Sequence, residues 1–311
     1  MSTIVAGICA SHATEINVGW ERMRDREAAD RFMGGYAEAL TILEDSRADV
    51  AVVLGSNHFL GLYLDMTPPF TIGVGDVNGH GEGETPAGPL RVDQEFAKKL
   101  LWAVMAQEID LALSARLTVD HGITMAIQRL TEPLAIPVVP IVVNAFVHPL
   151  PSMRRCRAVG QALRAAIEND GEDKRVAIIA TGGLSHHLPF VPKWEAPETE
   201  QDEILIAKQM YPSDDETKAE MRVLRGNVLA GTKPFVNEEW DREILRMVTE
   251  RDWDAIEALP DDAITSDAGN AAHEIRAWFI AAAAVDSPAR TLAYEPLYDW
   301  HGGYAVVALS A

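Results

Sequence analysis

The stretch "RVAIIATGGLSHH", residues 175–187, decides the fold class because a buried strand in it runs into a glycine turn that ends in two histidines. Its segment Val176–Ala180 is a continuous apolar run, which is typical of a strand covered on both faces of a sheet. The two glycines let the backbone turn sharply off the strand and approach a ligand. We therefore expect His186 or His187 to project into a crevice at the carboxyl end of this strand.

Further apolar runs of the same kind alternate with amphipathic stretches whose apolar residues recur at helical spacing. After about residue 195 the sequence becomes acidic and favours helix. We find no Gly/Ser linker and no internal repeat, so the prediction is one domain, residues 1–311, of the α/β class, with a central sheet flanked by helices and a helix-rich C-terminal half. The predicted strands are Thr3–Ile8, Val50–Leu54, Phe70–Val74, Ile136–Val143, Val176–Ala180 and a closing strand within 303–311, and the central helices lie within 32–45, 91–107 and 153–170.

Charge and composition exclude several classes of partner. The chain of 311 residues has 27 Lys+Arg against 47 Asp+Glu, a formal net charge of −20 that would repel nucleic acid. Its most apolar segment, 277–285, is shorter than the roughly 20 residues of a membrane span. Cys9 and Cys156 fit neither a disulfide framework nor a zinc motif, so we expect a cytoplasmic protein with no nucleic-acid or membrane partner.

Histidines follow the predicted strands. His12, His58 and His186 come after the first, second and fifth strand, and the carboxyl ends of parallel strands open onto a common crevice. His121 stands between Asp120 and a glycine at a predicted strand-to-helix turn, where the adjacent carboxylate could orient an imidazole. Any one of these could be an ordinary hydrogen-bonded loop histidine. Four at strand ends indicate a site.

A carboxylate that could join these imidazoles is Glu274 in "GNAAHEIRAWFIA". Its helix face continues through Trp278 and Ala281, so we expect it to be buried, and a buried carboxylate needs a partner. That partner is either a metal ion or an arginine in an internal salt bridge. Imidazoles with a carboxylate favour Fe(II) or Zn. His273 points about 100° away on the same helix and is not counted as a ligand.

Several catalytic motifs are missing. Position 277 is Ala, so no HExxH motif of a zincin protease is present, and neither a GxSxG elbow nor a Walker loop occurs. The stretch "GVGDVNGHGEG", residues 73–83, has glycines in the wrong register for a dinucleotide-binding turn. We interpret it as a flexible loop near the site.

Taken together, the motifs resemble the class III (LigB-type) extradiol ring-cleavage dioxygenases, and most closely their 2,3-dihydroxyphenylpropionate 1,2-dioxygenase branch. The resemblance runs in order over nearly the whole chain. The segment "ATEINVGWERMRDREAAD", residues 13–30, departs from the shorter loop of that branch. The motifs are "SH" at 11–12, "NH" at 57–58, "MTPPFTIGVG" at 66–75, "VDHG" at 119–122, "GGLSH" at 182–186, "WDREIL" at 240–245, "HEIRAWFIAAAA" at 273–284 and "EPLYDWHGGYAVVALSA" at 295–311.

The resemblance implies the chemistry and the residues that perform it. Its Fe(II) ligands would be His12, His58 and Glu274, a facial triad that leaves three coordination positions open. His186 would be the acid/base histidine, with His121 as a second acid/base or substrate-orienting residue. The substrate would be a 2,3-dihydroxyphenylpropionate-like catechol, which reacts with O2 to a ring-opened product. We also expect a homo-oligomer, and we assign His187 a structural role only.

Three alternatives stay open at this stage. The first is a related dioxygenase for another ring, such as protocatechuate, gallate, an aminophenol or dihydroxybiphenyl. The second is a zinc hydrolase that uses the same two histidines and glutamate, since zinc takes the same ligands. The third is a non-enzymatic relative that binds peptides, although such a protein would not need all five site residues.

Overall fold

The computed structural model describes residues 1–211, 220, 223 and 231–310, and its centre is one nine-stranded sheet. Every strand predicted from the sequence is present, so the α/β prediction is confirmed. The strands are β1 (Thr3–Ala10), β2 (Val50–Gly55), β3 (Phe70–His80), β4 (Ala87–Pro89), β5 (Ala112–Val119), β6 (Val138–Val143), β7 (Arg175–Thr181), β8 (Ala289–Leu297) and β9 (Gly302–Leu309).

Ten α-helices accompany the sheet within the described residues, and the predicted helical stretches coincide with them. Four of the seven longest begin at an Asp, Asn or Ser whose side chain accepts a hydrogen bond from the first turn. The helices are α1 (Glu15–Val18), α2 (Arg26–Ser46), α3 (Gln94–Met105), α4 (His121–Ala126), α5 (Met153–Glu168), α6 (Glu200–Gln209), α7 (Glu238–Glu250), α8 (Trp253–Glu257), α9 (Asp261–Ala268) and α10 (Ile275–Val285).

Short helical turns complete the chain. A π-helical segment, Ile127–Thr131, continues α4. The 3-10 turns are Trp20–Arg22, Glu82–Glu84, Glu132–Leu134, Ala272–Glu274 and Tyr298–Trp300. Within the described part of the chain, none of the helices combines the length and the apolarity needed to cross a bilayer.

The order of the strands fixes which loops can meet. The sheet runs β4-β3-β6-β2-β7-β1-β9-β8, and β5 pairs with the free side of β3. Strands β6, β2, β7 and β1 are parallel neighbours, whereas β9 is antiparallel to β1 and β3 is antiparallel to β6. Because β2, β7 and β1 are adjacent and parallel, the loops that follow them open onto the same edge of the sheet.

Two apolar layers cover the sheet. On one face, α3, α5 and α10 pack against the central strands, and α10 is buried along its whole length. On the other face, α2 and α4 pack against β1, β2, β7 and β9. The continuous apolar character of the central strands follows from this double cover.

One expectation about the chain is wrong. Residues 73–83 were expected to form a flexible loop, but β3 continues through them to His80, and only the turn that begins at Gly81 leaves the sheet. Glycines lower the strand propensity of this segment. It is nevertheless held as a strand because it pairs with β5 on one side and with β4 on the other, with an irregularity between Gly73 and Asp76.

Close packing of α5 on α10 generates a stability prediction. A Cβ atom at Gly160 of α5 would lie 2.3 Å from the carbonyl oxygen of Ile280 and 2.6 Å from the Cβ of Ala283, both in α10. We expect Gly160→Ala to lower the free energy of unfolding by about 1–3 kcal/mol, as overpacking does elsewhere. The measurement is the free energy of unfolding in urea, monitored by circular dichroism.

Gly34 in α2 is the matched control, since no described atom outside its own stretch of the helix lies within 4 Å of its Cβ position. Gly34→Ala should raise the free energy of unfolding by about 0.5–1 kcal/mol, because alanine loses less backbone entropy in a helix. Equal effects of the two substitutions would contradict the inferred contact between α5 and α10.

Candidate active site

The structure brings together the five residues that the sequence singled out: His12, His58, His121, His186 and Glu274. The first, second and fourth follow β1, β2 and β7, as the parallel arrangement predicts. His121 follows β5, which lies outside the parallel set because it pairs with β3 and β3 runs antiparallel to β6. The pairing of β3 with β5 is irregular between Gly73 and Asp76, and such bulges bend strands. The irregularity lies before the second half of β5, whose end leads to His121 and to the other site residues.

The Glu274 carboxylate lies at the centre of this group and is almost completely buried. Its Oε1 atom is 3.3 Å from Nε2 of His12 and 3.3 Å from Nε2 of His58. Its Oε2 atom is 3.4 Å from Nε2 of His186. Three imidazole nitrogens therefore converge on one carboxylate.

Donors from the protein also hold this carboxylate. The Ser56 hydroxyl donates to its Oε1, and the backbone N–H of Gly183 donates to its Oε2 at 2.7 Å. Burial by itself would raise the pKa of Glu274, but the neighbouring imidazoles, His12 first, hold it well below its usual range. The sequence leaves a salt bridge to an arginine as the alternative to a metal ion as the partner of Glu274. The Arg276 guanidinium instead binds Asp261, the backbone of Pro151 and His273.

Asp120 orients His58, whereas the sequence suggests its neighbour His121 as the partner. It accepts the backbone N–H of His58 at 2.5 Å and faces Nδ1 of the same residue at 3.1 Å. Since a carboxylate accepts, Nδ1 carries the proton and Nε2 is left to face Glu274. Burial would lower the pKa of His58, but Asp120 and then Glu274 outweigh it and raise the pKa to about 10.

His121, the sequence neighbour of Asp120, has its own carboxylate in Glu82. The Oε1 atom of Glu82 accepts the backbone N–H of His121 and faces its Nδ1 at 2.8 Å. The Oε2 atom faces Nδ1 of His80 at 2.8 Å. Burial would raise the pKa of Glu82, but these two histidines hold it well below the usual range of a carboxyl group.

His186 is fixed by the turn that precedes it. Its Nδ1 donates to the carbonyl of Leu184 at 2.9 Å, so its Nε2 faces the carboxylate at the centre. Asp241 accepts both the backbone N–H of Ser185, at 2.7 Å, and its hydroxyl, at 2.9 Å, and Tyr294 donates to the same carboxylate. Burial raises the pKa of Asp241 to about 6.

His187 and His273, the sequence neighbours of His186 and Glu274, lie apart from this group. His187 is partly buried, which lowers its pKa, and none of the described contacts joins it to Glu274. His273 faces Thr265 and Arg276 rather than the cluster, as the helical geometry predicted.

Ring orientation separates the imidazoles that can bind one ion together. The ring of His12 is nearly perpendicular to that of His58, at 86°, and to that of His121, at 80°. The rings of His58 and His121 are stacked, with centroids 3.9 Å apart and planes 25° from parallel. Nitrogen atoms of His12, His58 and His121 all lie within 4.8 Å of one another. In-plane lone pairs of stacked rings run side by side, however, so the pair of His58 and His121 is a poor chelate.

Sequence reasoning missed Ser56, Glu82 and Asp241, and it gave Asp120 to the wrong histidine. Ser56 directly precedes the "NH" motif and Asp241 lies within "WDREIL", so both stand in or next to the segments that carried the resemblance. Glu82 lay in the stretch that was interpreted as a loop. No local signal distinguishes it from Glu84 in the same turn, whose side chain is exposed.

Known proteins are similar to this chain in sequence over most of its length. A family model described as the catalytic LigB subunit of aromatic ring-opening dioxygenase matches residues 6–306. A protein of Rhodococcus jostii (strain RHA1), named 2,3-dihydroxyphenylpropionate/2,3-dihydroxicinnamic acid 1,2-dioxygenase, is 32% identical over 280 residues, which is 87% of this chain and 88% of that protein. A protein of the same name from Cupriavidus necator is 35% identical over 273 residues, 83% of this chain and 84% of the relative.

Proposed function

The chain belongs to the LigB family of aromatic ring-opening dioxygenases and is an extradiol ring-cleavage dioxygenase, and on that premise we propose Fe(II) as its metal and a 2,3-dihydroxyphenylpropionate-like catechol as its substrate. One observation carries the metal assignment. Two imidazole Nε2 atoms, of His12 and His58, lie 3.3 Å from the same buried oxygen of Glu274. Two histidines with one carboxylate are the donor set of non-heme Fe(II) oxygenases.

The residues present fit such an ion. A buried anion among imidazoles needs a counter-charge. A bound divalent cation supplies it, whereas without the cation protons on the imidazoles would supply it. Asp120 behind His58 adds the carboxylate–histidine–metal arrangement that fixes a ligand's tautomer. His121 is the competing third ligand, but its stacking on His58 favours Glu274. When bound, Fe(II) would supply the site at which catechol and O2 are brought together and activated.

Proton transfer falls to the histidines outside the triad. In the proposal, His186 removes a catechol hydroxyl proton at Nε2, because its Nδ1 is committed to the Leu184 carbonyl. It returns a proton as the ring opens. His121 likewise has its Nδ1 committed, to Glu82, so its Nε2 is available as a second acid/base or to orient the substrate hydroxyl.

The substrate proposal rests on the relatives. Their names give 2,3-dihydroxyphenylpropionate and 2,3-dihydroxicinnamic acid, catechols with a carboxylate-bearing substituent beside the diol. The matched segments cover more than four fifths of each relative, so the comparison extends over most of both chains. Both atoms of O2 would enter the ring-opened product. The bond cleaved would be the ring bond between the carbon that carries the substituent and the adjacent hydroxyl-bearing carbon.

We further propose that residues 1–311 form one catalytic domain, that the protein is a homo-oligomer and that it works in the cytoplasm. Support for the single domain comes from the pairing of β1 with β9, which joins the first and last strands of the sheet. Cys9 and Cys156 are free and buried, which is consistent with a reducing compartment.

Removal of single ligands tests the metal assignment. We expect His12→Ala, His58→Ala and Glu274→Ala each to lose most of the bound iron, because a facial triad has no spare protein ligand. Iron is measured after anaerobic purification and loading with Fe(II), and His121→Ala is the comparison that should keep it. Iron kept by Glu274→Ala and lost by His121→Ala would make His121 the third ligand.

Removal of the acid/base histidines should separate metal binding from chemistry. His186→Ala and His121→Ala should keep iron yet lose about 10²- to 10⁴-fold in turnover, the range typical of general acid–base groups. Turnover is followed by the absorbance of the yellow ring-opened product. His187→Ala is the control, and a greater loss there than in His186→Ala would mean that the other histidine of the pair is the acid/base residue.

A panel of catechols tests the substrate. Among 2,3-dihydroxyphenylpropionate, 3-methylcatechol, protocatechuate and gallate, we expect the first to have the highest kcat/KM, because leaving the substrate carboxylate or its partner unpaired in a buried pocket is costly. Analysis of the product should show cleavage between the diol and the substituent. A preference for protocatechuate or gallate would contradict the substrate assignment and leave ring cleavage itself standing.

A further inference from the structure

Glu82 uses both of its carboxylate oxygens to hold histidines, and neither histidine is a proposed metal ligand. Oε1 accepts from the backbone N–H and faces the ring Nδ1 of His121, and Oε2 faces Nδ1 of His80. The Glu82 side chain is 12% exposed. One oxygen thus holds the backbone and the ring of the same residue, which leaves the ring little freedom to rotate.

We propose that Glu82 is a positioning residue for ring cleavage, which holds His121 with Nε2 directed toward the bound catechol, and that His80 holds Glu82 in this orientation. The inference rests on the role proposed for His121. A carboxylate only accepts in this contact, so Nδ1 of His121 donates and Nε2 is the nitrogen left for the substrate. Rotation of the ring would remove Nε2 from the cluster.

The turn that carries Glu82 is built to stay in place. Gly81 and Gly83 adopt positive φ angles of 86° and 58°, and a Cβ atom at Gly83 would lie 2.5 Å from the Thr14 side chain. The Asn17 side chain donates to the carbonyl of Gly83 at 2.9 Å and to the side chain of Gln128 at the same distance. Gln128 in turn donates to the carbonyl of Glu84 at 2.9 Å.

These contacts give the segment 13–30 a definite task. Its helix α1 holds the Glu82 turn through Asn17, and the turn holds His121. Glu82, Asp120 and His121 also form a group whose donor atoms lie within 4.8 Å of one another. The hydrogen bonds to His121 and His58 account for both carboxylates of that group, so we interpret it as positioning rather than as a second metal site.

Two substitutions at Glu82 separate position from charge. Glu82→Gln keeps the reach of the side chain, and its amide oxygen can still accept from the backbone and ring of His121. Glu82→Asp keeps the charge but is one methylene shorter. If position matters, Glu82→Asp should lose about 10- to 100-fold in kcat, the range seen for partners that orient catalytic groups, whereas Glu82→Gln should stay within about 5-fold of the wild type. KM and iron content should change little in either variant.

Glu84→Gln and Glu84→Asp are the matched controls, because Glu84 lies in the same turn with an exposed side chain. Both should keep the wild-type kcat. Thermal unfolding is recorded for all four variants to show that they fold. If Glu82→Asp does not fold, Asn17→Ala tests the same inference, because it loosens the turn without changing Glu82 and should lower kcat.

The inference is overturned if Glu82→Asp keeps the wild-type kcat, if Glu82→Gln is the more damaged variant, or if either loses its iron. Every assay includes the iron-loaded wild type with the catechol panel. A wild type that cleaves no catechol would contradict the proposed function. An active wild type together with an unaffected Glu82→Asp would contradict only the role of Glu82.

Discussion

Burial of the Glu274 carboxylate is the constraint on which the rest of the site depends. An ionised carboxylate in an apolar interior is unstable unless charges and hydrogen bonds replace the water it has lost. Glu274 stands in the 3-10 turn Ala272–Glu274 that leads into α10, and the segments after β2 and β7 each contribute a donor to it, Ser56 and Gly183. Gly182, at φ 148°, passes so close that a Cβ atom would lie 2.8 Å from the Cβ of Glu274, so the turn requires glycine.

A second layer of acceptors sets the direction of each imidazole. Asp120 faces Nδ1 of His58, Glu82 faces Nδ1 of His121, and the Leu184 carbonyl accepts from Nδ1 of His186. In all three the Nε2 atom is the one left for the cluster. The proposed ligand His58 and the proposed acid/base residues are therefore oriented by the same device, and the stacking of His58 on His121 indicates that only one of those two rings can bind the ion.

Much of the fold could be predicted because the central strands are buried on both faces and read as unbroken apolar runs. The three strands for which the sequence predicted no bounds, β4, β5 and β8, lie at the sheet's margins: β4 has no buried residue, exposed and buried residues are mixed in β5, and β8 is mostly half-buried. The five site residues could be predicted for a related reason, since strand ends and one buried helix face carry them. Their partners could not, because contacts such as that of Glu82 with His121 join residues far apart in sequence, and adjacency wrongly suggested Asp120.

The turn that presents Glu274 is anchored on its other side by a charge of opposite sign. Arg276 is fully buried; its Nε donates to the Pro151 carbonyl at 2.8 Å, and its guanidinium pairs with Asp261. Burial, and then the charge of Arg276, lowers the pKa of His273 to about 2, so that ring is neutral and can accept from the guanidinium at Nδ1. Anion and cation thus stand in one helical turn with separate partners on separate sides. Packing and the anchor at Arg276 therefore help to fix the position of the carboxylate to which the metal would bind.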